Sequence, residues 1–229
     1  MLPALTTRPL DATVLAGGVA VRLVAGAPPA ALLDALYGSD ARVALAVLAE
    51  TDPVLRRALG GVHLVEPGDW PTAAGAGWIL APFVRAPGPH TATRFSDGSY
   101  GVWYGAADLV TAQAEVGHHL AAYLAKTEAA PDRVPRRVLH AVPSVDRPVV
   151  DLRGAGVAPA GVLDPLSYAA AQAFGAACRR AQHWGLVWPS VRREGGTCIG
   201  VLRPPMLVSC TPVGATTAEW DGRVVAWHD

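Results

Sequence analysis

The chain has 229 residues, 51% of them hydrophobic and 17% charged, with 19 basic and 19 acidic side chains that cancel. That balance argues against broad electrostatic capture of nucleic acid or of an anionic membrane, so neither is expected as a partner. The length suits one large domain or two small ones, and the apolar content is ample for a core.

No apolar run reaches the length of a membrane span, and the start, MLPALTTRPLDA, lacks the basic opening and long apolar stretch of a signal peptide. Three widely spaced cysteines, Cys178, Cys198 and Cys210, fit neither a disulfide framework nor a CxxC zinc site. A soluble, reduced, cytoplasmic protein is expected. High Ala, Gly and Pro with a single lysine, Lys126, fits a GC-rich genome.

In chain order, VAVRLVAG reads as a short strand. From Pro28 the pattern turns helical, with PPAALLDALYG, DARVALAVLAE and TDPVLRRALGG as three short helices, the last capped by Asp52 and stopped by Gly60. Residues 1–77 are therefore expected to form an N-terminal helical extension, with 67–77 as loop, and residues 78–229 to form the main domain. From Trp78 the pattern becomes β, with GWILAPFV, TATRFS and GVWYGA as short strands between turns.

Asp108 is the expected cap of a long helix, DLVTAQAEVGHHLAAYLAK, with Leu109, Ala112, Val116, Leu120 and Tyr123 as its buried stripe. VPRRVLHAVPS and RPVVDLRG read as strands. DPLSYAAAQAFGAACRRAQHWG reads as a helix from Asp164 to Gly185. LVWPSV is a strand that delivers Ser190, and Gly195-Gly196 turns it into CIGVL. Asp221-Gly222 marks a last hairpin. The expected class is α+β, with helices first and then a sheet interrupted by two helices.

Four side chains stand out as poor core material. Glu115 lies in the long helix among Ala112, Ala114, Val116 and Gly117, with His118 and His119 on its flank. A solvated helix glutamate is the plain alternative. Glu-x-x-His contributes metal ligands in di-iron bundles, but no second copy occurs and HExxH is absent, so hydrogen-bonded histidines are expected rather than a metal. Ser190 is outside any GxSxG elbow, so it reads as a hydrogen-bond donor to a ligand or a turn residue; a Ser–His–Asp triad, defined only in space, stays open. Arg94, in a polar turn, is either a surface residue paired with Asp97 or a fork that grips a pyrophosphate. Tyr104 ends an aromatic strand. Arg192 and Arg193 form a weaker anion-binding candidate, with exposed hairpin charge as the simpler reading.

RFSDGSYGVWYGA, TAQAE, DLRG and GLVWPSVRREGGTCIGVLRP, in this order and spacing, make the chain resemble the RES-domain family from about Thr91 to about Pro204. That family is named for an Arg, a Glu and a Ser and supplies the toxin half of bacterial toxin–antitoxin pairs. The resemblance implies an ADP-ribosyltransferase-like fold with a split mixed or antiparallel sheet. It implies an enzyme that consumes NAD+, with Arg94, Tyr104, Glu115 and Ser190 as the residues carrying catalysis, and Arg94, Tyr104 and Ser190 binding the dinucleotide. It also implies an antitoxin partner, often of the Xre type.

Cleaving the nicotinamide–ribose bond creates an oxocarbenium-like centre, which Glu115 would stabilise. Arg94 would hold the pyrophosphate, Tyr104 would pack at the nicotinamide end, and Ser190 would fix ribose or carboxamide. Inorganic phosphate as co-substrate, water and a protein side chain all stay open as acceptors, so NAD+ phosphorylase, glycohydrolase and protein ADP-ribosyltransferase are the enzyme readings. An inactive RES-like binding module is the reading from another class.

Overall fold

The structure, a computed structural model, describes residues 5–11, 13–25, 65–71, 75–84, 92–154 and 156–228. The three helices expected between 28 and 60 lie outside the described residues.

Among the described residues, nine strands form one sheet: β1 (Thr7–Arg8), β2 (Ala20–Ala25), β3 (Trp103–Ala106), β4 (Asp132–Pro143), β5 (Val149–Asp151), β6 (Gly185–Pro189), β7 (Thr197–Val201), β8 (Leu207–Trp220) and β9 (Val225–His228). Their spatial order is β1-β5-β6-β7-β3-β2-β4-β8-β9. The β5–β6 pair is parallel and the other pairs are antiparallel, so the sheet is mixed and the class is α+β. The stretch 1–77, expected as a helical extension, contributes β1 and β2 to this sheet, and β2 pairs with both β3 and β4 near its middle.

Among the described residues, three helices of eight or more residues cover the sheet: α1 (Ala76–Val84), α2 (Leu109–Lys126) and α3 (Ala169–Arg180). Side chains alternate across the strands, as the two-residue period of a strand requires. Val187, Ile199 and Val201 face one core with Ile79, Leu80 and Phe83 of α1. Leu186, Trp188 and Cys198 face the other side with Phe174 and Cys178 of α3. Val21, Leu23 and Ala106 continue that side under Ala112 of α2. So α2 and α3 share one face of the sheet and α1 takes the other.

Several expectations need correction. GWILAPFV is not a strand but most of α1. A continuous apolar run has no period to separate the two structures, and here the segment is enclosed by core on nearly all sides, with Ile79 and Leu80 fully buried. The helix begins beside Gly75, at φ +75°, where a Cβ would fall 1.7 Å from the Cys210 carbonyl oxygen, so only glycine fits that approach. In TATRFS, Thr93 to Ser96 form a tight turn closed by the Thr93–Ser96 pairing rather than a strand.

Helix α3 starts at Ala169, not at Asp164. The Asp164 carboxylate accepts the N–H groups of Leu166 and Ser167 and holds that stretch in a turn of its own. The same helix ends at Arg180 because Gln182 takes φ +60°, and His183 N–H closes back on Cys178. In α2, Asp108 is the cap as expected, accepting both the N–H and the hydroxyl of Thr111. Tyr123 is exposed rather than part of the buried stripe, and Leu124 is buried in that part of the helix.

Candidate active site

Over the strands β3, β6 and β7, between α2 and the turn that precedes α3, lies a cavity of about 380 Å³. Tyr104, Trp188 and Cys198 line it from the sheet, Glu115 and His119 from α2, and Arg94 and Tyr168 from loops. Three of the four residues singled out from sequence therefore line one cavity. The fourth, Ser190, stands directly behind Glu115.

Glu115 is placed by α2. Ser190 is placed by the last step of β6, two residues past Trp188 and so on the same face. Its hydroxyl donates to Glu115 Oε1 at 2.6 Å and accepts the N–H groups of Arg192 and Arg193 at 3.1 and 3.0 Å. A serine hydroxyl has one donor and two lone pairs, so Ser190 is fully engaged within the protein. Its donor is committed to Glu115 rather than offered to a ligand.

The turn that follows is tied to α2 as well. Arg193 Nη1 bonds Asp108 at 3.2 Å and the Thr111 hydroxyl at 2.7 Å. Gly196 packs so tightly on Thr111 that a Cβ would fall 2.9 Å from it. Hairpin and helix thus hold Ser190 and Glu115 in fixed relation. Arg192 and Arg193, read as exposed hairpin charge, instead fasten this turn, Arg192 through the Pro165 carbonyl at 2.6 Å.

Arg94 is 7% exposed, not a surface residue, and Asp97 bonds Ser99 instead of it. Its Nη1 donates to the carbonyls of Asp164 and Val162, at 2.8 and 3.4 Å, and its guanidinium lies 4.5 Å from the Tyr168 ring centre. Among the described residues no carboxylate forms an ion pair with it. A buried cation whose protein partners are carbonyls and a ring is suited to an anionic ligand.

The turn carrying Arg94 is held by neighbours. The Tyr104 hydroxyl accepts the Phe95 N–H at 3.0 Å and bonds the Thr93 hydroxyl at 2.8 Å. Gln172 of α3 donates to the Thr93 carbonyl at 3.0 Å. Gly175 lets α3 approach, since a Cβ there would fall 2.2 Å from the Phe95 carbonyl oxygen. Tyr104 thus orients the turn through its hydroxyl while its ring stands edge-on to Trp188 at 6.2 Å.

Burial pushes the Tyr104 phenol up to about 12, against the hydrogen bonds from Thr93 and Phe95, so it stays neutral at ordinary pH. Burial, and next the Glu115 charge, push the Cys198 thiol well above its ordinary range. Desolvation lowers both His118 and His119, with Arg192 adding to the effect on His118 and His118 adding to that on His119; Glu115 opposes it. The two rings meet edge to face at 5.3 Å. Among the described residues no group of three or more His, Cys, Asp or Glu could hold a metal.

The sequence reading missed Trp188, Cys198, Tyr168 and Thr93. The hairpin register around Gly195-Gly196 sets Cys198 opposite Trp188, and that pairing was the available signal. Tyr168 and Thr93 left none, because each depends on how loops meet.

A RES-domain family model matches residues 69–221. No curated protein matches the chain. Among solved structures, the crystal structure of the M. tuberculosis MbcT-MbcA toxin-antitoxin complex is similar at a TM-score of 0.40 and 15% sequence identity, covering 55% of this chain and 73% of the other.

Proposed function

The chain belongs to the RES-domain family, and from that premise we propose that it is the toxin of a toxin–antitoxin pair and consumes NAD+ by cleaving the bond between nicotinamide and ribose. The observation that carries this reading is that a buried arginine, whose partners among the described residues are carbonyls and a ring, lines the same cavity as a glutamate anchored through one oxygen. The cavity volume falls in the range that small-molecule and cofactor sites occupy.

In this reading Arg94 binds the pyrophosphate, and the aromatic wall of Tyr104 and Trp188 receives the nicotinamide end. As the bond breaks, its electron pair leaves with the nicotinamide nitrogen, and the ribose carbon takes up positive charge. Glu115, already oriented by Ser190, stabilises that charge and binds a ribose hydroxyl. An acceptor oxygen then attacks the ribose carbon and releases its proton to solvent. Arg94, Tyr104 and Glu115 touch the substrate, and Ser190 acts through Glu115.

The fold class, α+β with a mixed sheet, is compatible with the ADP-ribosyltransferase-like architecture that the family implies. The proposed partner is an antitoxin of the Xre type that covers the cavity mouth and blocks NAD+.

The test is to incubate purified protein with NAD+, with and without inorganic phosphate, and to weigh the products. ADP-ribose 1″-phosphate means phosphorolysis, free ADP-ribose means hydrolysis, and a mass increase on protein means transfer. Intact NAD+ under both conditions rejects the enzyme reading and leaves the binding module.

A further inference from the structure

Among the described residues, every hydrogen bond to the Glu115 side chain falls on one oxygen. Oε1 accepts the Ser190 hydroxyl at 2.6 Å and the Cys198 thiol at 3.3 Å. Among the described residues Oε2 accepts none. Cys198 is 3% exposed and lines the same cavity. It is also fixed from both sides, since it sits on β7 opposite Trp188 of β6 and Ala106 of β3, inside the sheet. The two donors therefore come from different places, one from the end of β6 and one from the interior of β7.

A glutamate side chain has several rotatable bonds. One hydrogen bond sets a distance and leaves the carboxylate free to turn about it. Two donors, one on β7 and one just past the end of β6, fix the direction as well, which is what a preorganised group needs. We propose that Cys198 is a positioning residue for Glu115: its thiol and the Ser190 hydroxyl together immobilise Oε1 and present Oε2 to the ribose. The functional consequence rests on the NAD+ reading above; the bond itself does not. The buried thiol keeps its proton, so it remains a donor instead of a second negative charge beside the carboxylate. A cysteine serving only as core filler would be replaced equally well by any residue of its volume, and the two readings separate in experiment.

The full chain is used throughout. The S–H stretching band of Cys198 is isolated as the infrared difference between wild type and Cys198→Ala, in which Cys178 and Cys210 cancel. The expected band is that of a hydrogen-bonded thiol, and in Glu115→Leu, referenced to the same variant without Cys198, it moves to the position of a free one. In steady-state kinetics Cys198→Ala is expected to lower kcat by about three- to tenfold, the scale of one weak donor, with KM for NAD+ unchanged. Cys198→Ser is expected to recover most of the loss. Should Cys198→Ala fold poorly, Cys198→Val replaces it, filling the volume without a donor.

A free-thiol band in wild type that ignores Glu115→Leu overturns the proposal. So does wild-type kcat in the donor-less variant, or equal losses in the serine and donor-less variants. Wild-type protein that leaves NAD+ intact removes the functional reading instead, and the band shift then decides alone whether Cys198 holds Glu115.

Discussion

Arg94 brings its charge to the cavity wall with carbonyl oxygens as its partners, so the site holds a cation that an incoming anion can satisfy. Replacing it with alanine should weaken NAD+ binding by roughly 1.5–3 kcal/mol, the worth of a charged hydrogen bond, or about ten- to a hundredfold. Arg94→Lys should recover little of this, because an ammonium cannot reproduce the planar fork. Titration calorimetry on the variants checks both statements, and near-native affinity in Arg94→Ala would move the pyrophosphate elsewhere. Tyr104 has a structural task in addition to any contact with ligand. Tyr104→Phe keeps the ring and removes the oxygen that holds the Phe95 N–H and the Thr93 hydroxyl. That change should cost about 1 kcal/mol of stability and loosen the turn beneath Arg94, read as a lower melting temperature together with weaker NAD+ binding. Asp97 and Asp108, the other carboxylates near in sequence, have other tasks: Asp97 closes a loop with Ser99, and Asp108 caps α2 and holds Arg193.

Helix α2 and the β6–β7 hairpin act as one unit through Asp108. Asp108→Ala removes a helix cap, expected to cost about 1 kcal/mol, and also the Arg193 clamp that fixes the Ser190 turn. Chemical denaturation should show the stability loss, and the NAD+ cleavage rate should fall by more than thermal stability alone explains, because Ser190 would no longer meet Glu115 at a fixed distance. A second fixed point is Asp151 of the DLRG segment, where β5 meets β1. Burial acts to raise its carboxyl, but hydrogen bonds from Arg153 and Arg8 outweigh it and hold the group below its ordinary value of 3.8. A carboxylate depressed in the folded state contributes its stability above the unfolded value and loses it as pH falls through the folded one. The stability gap between wild type and Asp151→Asn should therefore be full at neutral pH and shrink below about pH 3.8, as acid denaturation followed by circular dichroism would show. Much at this scale was legible in sequence: the Asp108 cap, the strand that leads into Ser190, and the two glycine-marked hairpins all follow from local chemistry. GWILAPFV was not legible, because a segment surrounded by core carries no polar face and so no period. The turn at Asp164 was hidden because Asp-Pro reads equally as a helix start. Convergence of Arg94 with Glu115 was expected only through the family resemblance, since it depends on α3 passing Phe95 at Gly175.

Across the whole molecule, zero net charge fits a small-molecule site better than a polyanion surface. The family match begins at residue 69, yet β2, residues 20–25, lies between β3 and β4. We therefore propose that the working unit includes the first strands and does not divide at residue 77. A chain starting at Trp78 would open the sheet where β2 belongs and leave the facing backbone groups of β3 and β4 unpaired. It should fail to fold cooperatively by calorimetry, whereas an independent domain from 78 to 229 would melt normally. If the chain is a toxin, its expression should lower cellular NAD+, and co-expression of a cognate antitoxin should restore it; the Arg94→Ala variant should deplete NAD+ less.

The central claim is that Glu115 stabilises a cationic transition state in the cavity it shares with Arg94. Glu115→Gln keeps the size of the side chain and removes its charge, so the decisive measurement is the NAD+ cleavage rate of this variant beside its NAD+ affinity by calorimetry. The account predicts a turnover lower by roughly two orders of magnitude or more, the scale of one preorganised electrostatic group, with affinity nearly unchanged. Wild-type turnover in Glu115→Gln would contradict it.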